Sequence, residues 1–304
     1  MDRSSLYYRQ VQLLIRLFPI IRRESCFALK GGTAINLFIR DLPRLSVDID
    51  LVYLPLDDRE TALPHVRDAL SRISKAIAHE VQQAVVIPAY EDSEVLRVFV
   101  SQGTARVKIE LSPVLRGTVF APIYTDIRPA VEREFGFAEM PILAVPDLYA
   151  GKICAALDRQ HPRDLFDIKL LLDNEGINSD LRKTFLVYLI SHHRPIAELI
   201  SPTLKNIRDV FENEFVNMTT IPISVEQLEE TRDVLIKQIH TDLTQDETDF
   251  LLSFKAQRPN WNLLGLEGVE NLPPVKWKIL NLSRMSVNKH RIASKNLQDA
   301  LSGR

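Results

Sequence analysis

KGGTAINLFIRDLPRLSVDIDLVYL, the stretch Lys30–Leu54, decides the fold of this 304-residue chain. It opens with a glycine pair, continues into the start of an apolar helix at Thr33–Ile39, and ends in a strand at Val47–Leu54. Because successive side chains on a strand point to opposite faces, Asp48 and Asp50 are predicted to share one face. The stretch therefore predicts a tight turn beside a pair of carboxylates.

Two carboxylates spaced in this way lie ~6 to 7 Å apart and repel each other unless a cation binds between them. Mg²⁺ suits the pair because it prefers hard oxygen ligands and completes its coordination with water and substrate phosphates. Bare backbone N–H groups at Gly31 and Gly32 are complementary, since they can hold a triphosphate. Glycine pairs are usually plain turns and Asp-x-Asp is usually an exposed strand face, but the combination favours a nucleoside triphosphate (NTP) site.

A third carboxylate is expected on the predicted strand Ala105–Leu111, ARVKIEL. Glu110 shares a strand face with Lys108 there. It is the candidate for a further metal ligand, or for the base that acts on an incoming hydroxyl. The alternative interpretation is an ordinary glutamate that pairs with Lys108 on a half-exposed strand.

A second group of charges lies in PDLYAGKICAALDRQHPRDLFDIKLLLDNEGI, which follows Val145. Pro162 predicts the start of a new helix, so Lys152 lies on one helix while Arg163, Asp164 and Asp167 lie in the first turns of the next. Lys152 is the candidate cation for nucleotide phosphates. The nearby arginines and aspartates are predicted to hold it, and a salt-bridged helix corner without catalysis is the alternative. The apolar residues at helical spacing form the predicted core face: Leu148, Ile153, Leu157, Leu165, Ile168 and Leu172.

The pattern of the whole chain predicts an α/β domain at 1–145 and a helical domain at 146–304. The first domain would contain an N-terminal helix, a long helix at Asp57–Gln83, and further strands at Ala84–Pro88 and Val95–Val100, followed by a loose stretch up to Pro146. No apolar run reaches the ~18 residues of a membrane helix. Cys26 and Cys154 lie in apolar segments, which indicates reduced thiols of a cytoplasmic protein with no membrane partner.

Charge is distributed unevenly in the second half. Ser201–Phe254 contains 4 Lys/Arg and 11 Asp/Glu, whereas 255–304 contains 9 Lys/Arg and 3 Asp/Glu. A basic stretch of this kind can bind nucleic-acid phosphates, but it can also be a solvated helix face or dock on the acidic segment. The residues predicted to contact RNA phosphates are Lys276, Lys278, Arg284, Lys289, Arg291 and Lys295.

The blocks GGTAINLF, RLSVDIDL, VKIEL, KICAALDRQHPRDLFDI and LPPVKWKILNL occur in this order over most of the chain. Together they resemble the AbiEii/AbiGii (MenT-like) family of nucleotidyltransferase toxins. The resemblance implies a polymerase-β-like nucleotidyltransferase core with a mixed sheet, followed by an all-helical domain. It also implies the toxin of a type IV toxin–antitoxin or phage-defence pair, with a cognate antitoxin encoded nearby.

The resemblance also implies roles for particular residues. Gly31, Gly32 and Thr33 would hold the nucleotide, and Ser46 would provide a phosphate or metal-shell hydroxyl. Asp48 and Asp50 would bind Mg²⁺ or Mn²⁺. Lys152 would match the essential lysine of the family, supported by the corner Arg159, Arg163, Asp164 and Asp167, and Arg44 is a further supporting residue of the predicted site. Glu110 occupies the third acidic position, where a glutamate is one methylene longer than an aspartate.

The sequence thus predicts an Mg²⁺-dependent nucleotidyltransferase that transfers NMP from an NTP to RNA. Similarity to characterised relatives implies the 3′ end of tRNA as the acceptor, with a block of translation as the result. One alternative is the same fold acting on a protein or small-molecule hydroxyl. A second alternative, from a different class, is a non-catalytic binding module.

Overall fold

The computed structural model of the protein describes residues 5–91 and 94–303. Contacts between Cα atoms divide the chain into two compact units. The first unit extends to Ala144 and also includes Thr219–Ile221, and the second comprises Val145–Met218 and the chain from Pro222 onward. None of the helices in the described ranges is both long and apolar enough to cross a membrane.

The first unit is built on a mixed sheet. Its described strands are β1 (Phe27–Lys30), β2 (Asp48–Tyr53), β3 (Val85–Glu91), β4 (Glu94–Gln102), β5 (Ala105–Arg116), β6 (Ile123–Asp126) and β7 (Glu139–Ile142). Its described helices are α1 (Leu6–Ile21), α2 (Gly31–Ala34), α3 (Arg59–Glu80) and α4 (Pro129–Phe135), and a π-helical turn at Ile35–Ile39 continues α2. α1 contacts β5 and β7, and α3 contacts β3 and β4, so both helices cover the sheet.

The sheet order is β3-β4-β5-β2-β1-β7-β6, which puts β2 in the middle. β2 is antiparallel to β1 and parallel to β5. In the β2–β5 register, Asp48 lies opposite Lys108 and Asp50 lies opposite Glu110. Ile49 alternates with the two aspartates and is fully buried. The predicted alternation along this strand is therefore confirmed, with the core on one face and the aspartates on the other.

Most predicted elements of the first unit are confirmed with small shifts of their ends, and the part of the N-terminal helix prediction that covers residues 1–4 lies outside the described residues. The prediction of a loose stretch up to Pro146 is wrong, because this stretch contains β6, α4 and β7. β6 and β7 are four residues long, and Pro141 interrupts the alternation of β7. Short strands with proline give weak sequence signals. Met140 and Ile142 of β7 are nevertheless buried beside β1.

The second unit is helical in its described residues. Its α-helices are α5 (Val145–Arg159), α6 (Pro162–Asn174), α7 (Ser179–Ser191), α8 (Ile196–Ile200), α9 (Arg208–Glu214), α10 (Val225–Asp242), α11 (Gln245–Lys255), α12 (Pro273–Ser283) and α13 (Val287–Ser302). Short 3₁₀ turns occur at Trp261–Leu263 and Val269–Asn271.

α5 lies at the centre of this second unit, where it contacts α6, α7, α8 and α10. The predicted core positions on α5 and α6 are buried, with the exception of Leu172, which is half-buried while its neighbour Leu171 is fully buried. Cys26 and Cys154 are free thiols, as predicted. The buried core face of α5 and α6 fixes both helices and therefore the side chains at the corner between them.

Candidate active site

The glycine pair forms a tight turn between β1 and α2. Gly31 has a φ of +75°, and a Cβ atom added there would lie 2.7 Å from Oδ2 of Asp50. A Cβ atom on Gly32 would lie 2.5 Å from Nη2 of Arg44 and 2.9 Å from Oγ of Ser46. Both positions therefore need a residue without a side chain, Gly31 for its backbone conformation and both for the close approach of polar groups.

Hydroxyl groups connect this turn to β2. Thr33 is buried, and its Oγ1 donates a hydrogen bond to the main-chain oxygen of Asp48. The same atom lies 3.0 Å from Oγ of Ser46. Asn36 Nδ2 donates to the main-chain oxygen of Gly32 at 2.8 Å. These bonds fix the turn relative to the strand that carries the aspartates.

The loop between the π-helical turn and β2 carries Arg44 and Ser46. Arg44 is buried, and its Nη1 donates to the main-chain oxygen of Leu45 at 2.8 Å. The segment Thr219–Ile221 pairs with this loop: Thr219 forms a β-bridge with Arg44, and Thr220 N donates to the oxygen of Pro43 at 2.9 Å. Arg44 is thus part of the support beneath the glycine turn.

Asp48 and Asp50 share their sheet face with a cation from the neighbouring strand. Lys108 Nζ lies 3.9 Å from Asp48 Oδ2 and 2.7 Å from Glu110 Oε2. Burial by itself lowers the pKa of the Lys108 ammonium, but the bond to Glu110 and the charges of Asp48 and Asp50 outweigh this effect and raise the pKa. Lys108 therefore stays protonated and partly neutralises three carboxylates.

Glu110 lies beside Asp50, but it is engaged by two cations. Lys108 binds its Oε2 and Arg97 Nε binds its Oε1. Burial raises the pKa of Glu110, and these two partners outweigh burial and lower it. A carboxylate with a lowered pKa is a weak base. The contacts therefore match the alternative interpretation of Glu110 as a glutamate paired with Lys108.

The residues on this face fit a divalent cation. Both aspartates offer carboxylate oxygens, the ligands that Mg²⁺ and Mn²⁺ prefer. The Asp48 side chain is 48% exposed, so an ion can reach its carboxylate from solvent. Because Gly31 has no Cβ, Asp50 Oδ2 lies directly against the backbone of the glycine turn. Asp48 and Asp50 would hold the ion.

Lys152 lies in a buried cluster of charges within the second unit. Its Nζ lies 2.9 Å from Asp164 Oδ1 and 3.1 Å from Asp167 Oδ2. Arg159 Nη2 binds the other oxygen of Asp164 at 2.7 Å. The side chains of Lys152, Asp164 and Asp167 are all less than a tenth exposed. α5 and α6 therefore bring together four of the predicted residues at the corner between them.

Arg163 points away from this cluster. Its Nη2 lies 3.8 Å from Oε2 of Glu214, and this carboxylate oxygen also accepts a hydrogen bond from Nε2 of His161 at 3.1 Å. His161 caps α6, because its Nδ1 accepts from the backbone N–H of Arg163. Burial lowers the pKa of His161, so the ring is neutral and acts as an acceptor at the cap. Arg163 thus belongs to the start of α6 and lies close to Glu214 of α9.

A different set of potential metal ligands lies at the end of α7. Asp158, His192 and His193 each bring a ligand atom within 4.8 Å of the others. However, His192 Nδ1 accepts from the backbone N–H of Arg194, so the neutral ring carries its proton on Nε2, the atom that faces Asp158. A histidine that binds metal through Nε2 donates through Nδ1. Because Arg194 also pairs with Asp158, we assign the cluster to ion pairing.

Two site residues were not predicted as functional from the sequence. The sequence indicates Lys108 only as a partner of Glu110, and it gives no indication of Arg97. The signal for Lys108 was available, because it alternates with Ile109 in ARVKIEL and so faces the same way as Glu110. Arg97 comes from β4, and its contact with Glu110 depends on the β4–β5 register.

Comparisons with known proteins identify the family and the fold of the chain. The model of the family described as nucleotidyl transferase AbiEii toxin, type IV TA system, matches residues 12–278. Among solved structures, the nucleotidyltransferase toxin MenT4 from Mycobacterium tuberculosis H37Rv superposes with a TM-score of 0.62 at 12% identity, covering 93% of this chain and 95% of that chain. Terminal uridylyl transferase 4 from Trypanosoma brucei with bound GTP covers 97% of this chain and 90% of that chain at 15% identity, but its TM-score of 0.31 establishes no shared fold. The comparison with curated proteins found no match.

A nucleotidyltransferase is therefore the class of protein to which the chain belongs. More particularly, the chain is a member of the AbiEii family of nucleotidyltransferase toxins of type IV toxin–antitoxin systems. The predicted resemblance is confirmed. The predicted fold class, a polymerase-β-like core with a mixed sheet and a helical part after it, is confirmed as well.

Proposed function

We propose that the protein transfers NMP from an NTP to the 3′ hydroxyl of tRNA, in the presence of Mg²⁺, and thereby blocks translation. The observation that carries the proposal is the pair Asp48 and Asp50 on one face of β2, with Oδ2 of Asp50 directly against the position of the missing Cβ of Gly31. A carboxylate that would bind the metal and a backbone that would approach the phosphates are therefore adjacent.

The reaction forms a bond between the acceptor oxygen and the α-phosphorus of the NTP. The bond from this phosphorus to the bridging oxygen breaks, pyrophosphate leaves, and the hydroxyl proton passes to solvent. When bound, Mg²⁺ supplies charge stabilisation on the phosphates and favours loss of the hydroxyl proton. Asp48 and Asp50 hold the ion, the backbone of Gly31, Gly32 and Thr33 orients the phosphates, and Ser46 adds a hydroxyl.

Lys152 is proposed as a further cation for the phosphates. Asp164 and Asp167 hold its ammonium in a single orientation inside the helical unit, and Arg159 compensates the second oxygen of Asp164. An ammonium fixed in this way loses little entropy when it meets a ligand. Glu110 is proposed to act through Lys108 rather than as a base, because both of its oxygens bind cations.

The RNA acceptor, which the resemblance to characterised relatives implies, is supported by exposed basic side chains at the C-terminal end. Lys276, Arg284, Lys289, Arg291 and Lys295 are exposed in α12, α13 and the turn between them. Lys278 differs, because its Nζ donates to the main-chain oxygens of His192 and Arg194. As a member of a toxin–antitoxin family, the protein is proposed to act in the cytoplasm together with a cognate antitoxin.

The test is incubation of the purified protein with Mg²⁺, each α-³²P-labelled NTP in turn, and total tRNA, followed by a denaturing gel. Asp48→Ala is expected to abolish labelling and growth inhibition while the circular dichroism spectrum stays unchanged. Asp126→Ala, which removes an exposed aspartate at the end of β6, is the control and should label as the wild type does. Labelling by folded Asp48→Ala would refute the proposed site. Label on protein or on a small molecule, with none on tRNA, would favour the alternative acceptor.

A further inference from the structure

The ammonium of Lys108 lies close to Asp48, one of the two proposed metal ligands. Its Nζ is 2.7 Å from Glu110 Oε2 and 3.9 Å from Asp48 Oδ2, and the register of β5 against β2 puts Lys108 directly opposite Asp48. The Lys108 side chain is only 29% exposed. Glu110 is in turn held by Arg97. The lysine is therefore fixed by its neighbours in β5 and β4 and does not move freely in solvent.

We propose that Lys108 is an internal counter-ion of Asp48 and Asp50 that competes with the divalent cation, and that Glu110 and Arg97 hold it in this position. This inference rests on the proposed function, because it assumes that the two aspartates bind the metal. Lys108 is a positioning residue in this scheme. Its positive charge partly neutralises the two carboxylates while no ion is bound, and the same charge weakens the binding of free metal.

The same charge links metal binding to nucleotide binding. An NTP with its metal brings several phosphate oxygens, which give the Lys108 ammonium a new anionic partner once the metal has taken its place at Asp48. Free metal brings no such partner. The protein should therefore bind the metal much more tightly in the presence of nucleotide, and this coupling should depend on the charge of Lys108.

The first test is the affinity for Mn²⁺ of the full chain without nucleotide, measured by electron paramagnetic resonance. Lys108→Gln removes the competing charge and should tighten Mn²⁺ binding about threefold to tenfold, a range set by the short separation and the partial exposure of the pair. Arg106→Gln is the matched control. Arg106 lies two residues earlier on β5 and is exposed over the ring of Phe99. Because solvent screens the charge of Arg106, its removal should change the Mn²⁺ affinity by less than about twofold.

Unchanged or weaker Mn²⁺ binding by folded Lys108→Gln would overturn the inference. Should Lys108→Gln fail to fold, Lys108→Met and Lys108→Arg decide the question: Met should tighten Mn²⁺ binding and Arg should keep the wild-type affinity, whereas equal affinities would refute the role of the charge. Asp48→Asn separates this inference from the proposed function. If Asp48→Asn binds Mn²⁺ as the wild type does, the proposed metal site itself is wrong. If Asp48→Asn loses binding and Lys108→Gln binds like wild type, only the role of Lys108 is wrong.

A second measurement addresses the coupling. Saturation with a non-hydrolysable NTP analogue should tighten Mn²⁺ binding by a larger factor in the wild type than in Lys108→Gln. An equal factor in both proteins would show that the Lys108 charge does not link the two ligands.

Discussion

Gly31 is the residue at which the backbone and the chemistry of the site constrain each other. Its positive φ is unfavourable for any residue with a side chain. Independently of this conformation, the Asp50 carboxylate fills the space that a Cβ would need. A methyl group at this position would thus displace one of the two proposed metal ligands as well as strain the turn. These two effects can be separated by experiment, because other glycines in the chain have only the first.

We expect Gly31→Ala to lower the free energy of unfolding by about 1 to 2 kcal/mol and to abolish Mn²⁺ binding and nucleotide transfer. Gly103→Ala is the matched control, because Gly103 also has a positive φ but has no atom within 4 Å of an added Cβ. Gly103→Ala should lose similar stability and keep full activity. Denaturant unfolding and Mn²⁺ titration measure the two quantities. Equal loss of activity in both variants would show that backbone strain alone matters.

For single residues, the sequence predicted those features that depend only on local backbone geometry. Asp48 and Asp50 were expected on one face because the two-residue period of a strand is set by the backbone. The ion pairs of Glu110 were only partly predictable: Lys108 lies on the same strand, whereas Arg97 meets Glu110 through strand pairing across a hairpin. Pairing between strands depends on register, and register cannot be obtained from the alternation within one strand.

Among the secondary-structure elements, α5 and α6 meet at a corner, and the second group of charged side chains lies there. Lys152 on α5 is bonded to two aspartates on α6, and all three side chains are buried. A buried ion pair gains its stability only while every partner is present, since removal of one leaves an uncompensated charge away from water. The corner is therefore both a structural joint and the support for the Lys152 ammonium.

Asp167→Asn should destabilise the protein by about 3 kcal/mol, because the charge of Lys152 would lose a buried carboxylate partner. The matched control lies on the same helix: Asp173→Asn breaks the exposed pair of Asp173 with Lys169 and should cost less than about 0.5 kcal/mol. Urea unfolding of both variants measures the difference. Similar small losses in the two variants would mean that the buried cluster adds no more stability than a surface pair.

The elements themselves were predicted unevenly, and the reason is their length. Long periodic segments such as α3, α5 and α6 give many repeats of the apolar pattern, and they occur where they were expected. The four-residue strands β6 and β7 give two repeats at most, and Pro141 interrupts one of them. The π-helical turn after α2 could not be predicted from the sequence. Its wider hydrogen bonds, such as that from Arg40 N to the oxygen of Ile35, produce no distinct period of apolar residues.

For the whole molecule, the near-neutral net charge of −2 conceals a basic C-terminal end. The structure divides its cations into two groups. Lys278 is turned inward, where burial and the neighbouring charge of Lys255 lower its pKa to about 8. The remaining predicted contacts are exposed on α12, α13 and the turn between these helices. Only the exposed group can exchange counter-ions with RNA phosphates.

Lys289→Gln combined with Arg291→Gln should weaken tRNA binding and reduce the slope of log K against log salt concentration by about 0.7 to 0.9 for each charge removed. The affinity would be measured by fluorescence anisotropy over a series of salt concentrations. Arg67→Gln combined with Arg133→Gln is the control, because these exposed arginines lie outside the basic segment. An unchanged slope in the first pair of substitutions would exclude the basic segment from RNA binding.

The return of Thr219–Ile221 to the first unit also limits how such proteins can recombine. A single genetic crossover at the Ala144–Val145 boundary would exchange the helical unit of two relatives, but it would also replace the segment that pairs with the Arg44 loop beneath the glycine turn. Two hydrogen bonds reach the main-chain oxygen of Pro43 there, from Thr220 N at 2.9 Å and from Thr220 Oγ1 at 3.2 Å. Position 220 therefore favours a hydroxyl side chain, whereas the main-chain bond and the bridge of Thr219 with Arg44 depend only on the length and backbone path of the segment. Among relatives that have exchanged their helical units, the length and position of this segment should accordingly vary less than its amino acids.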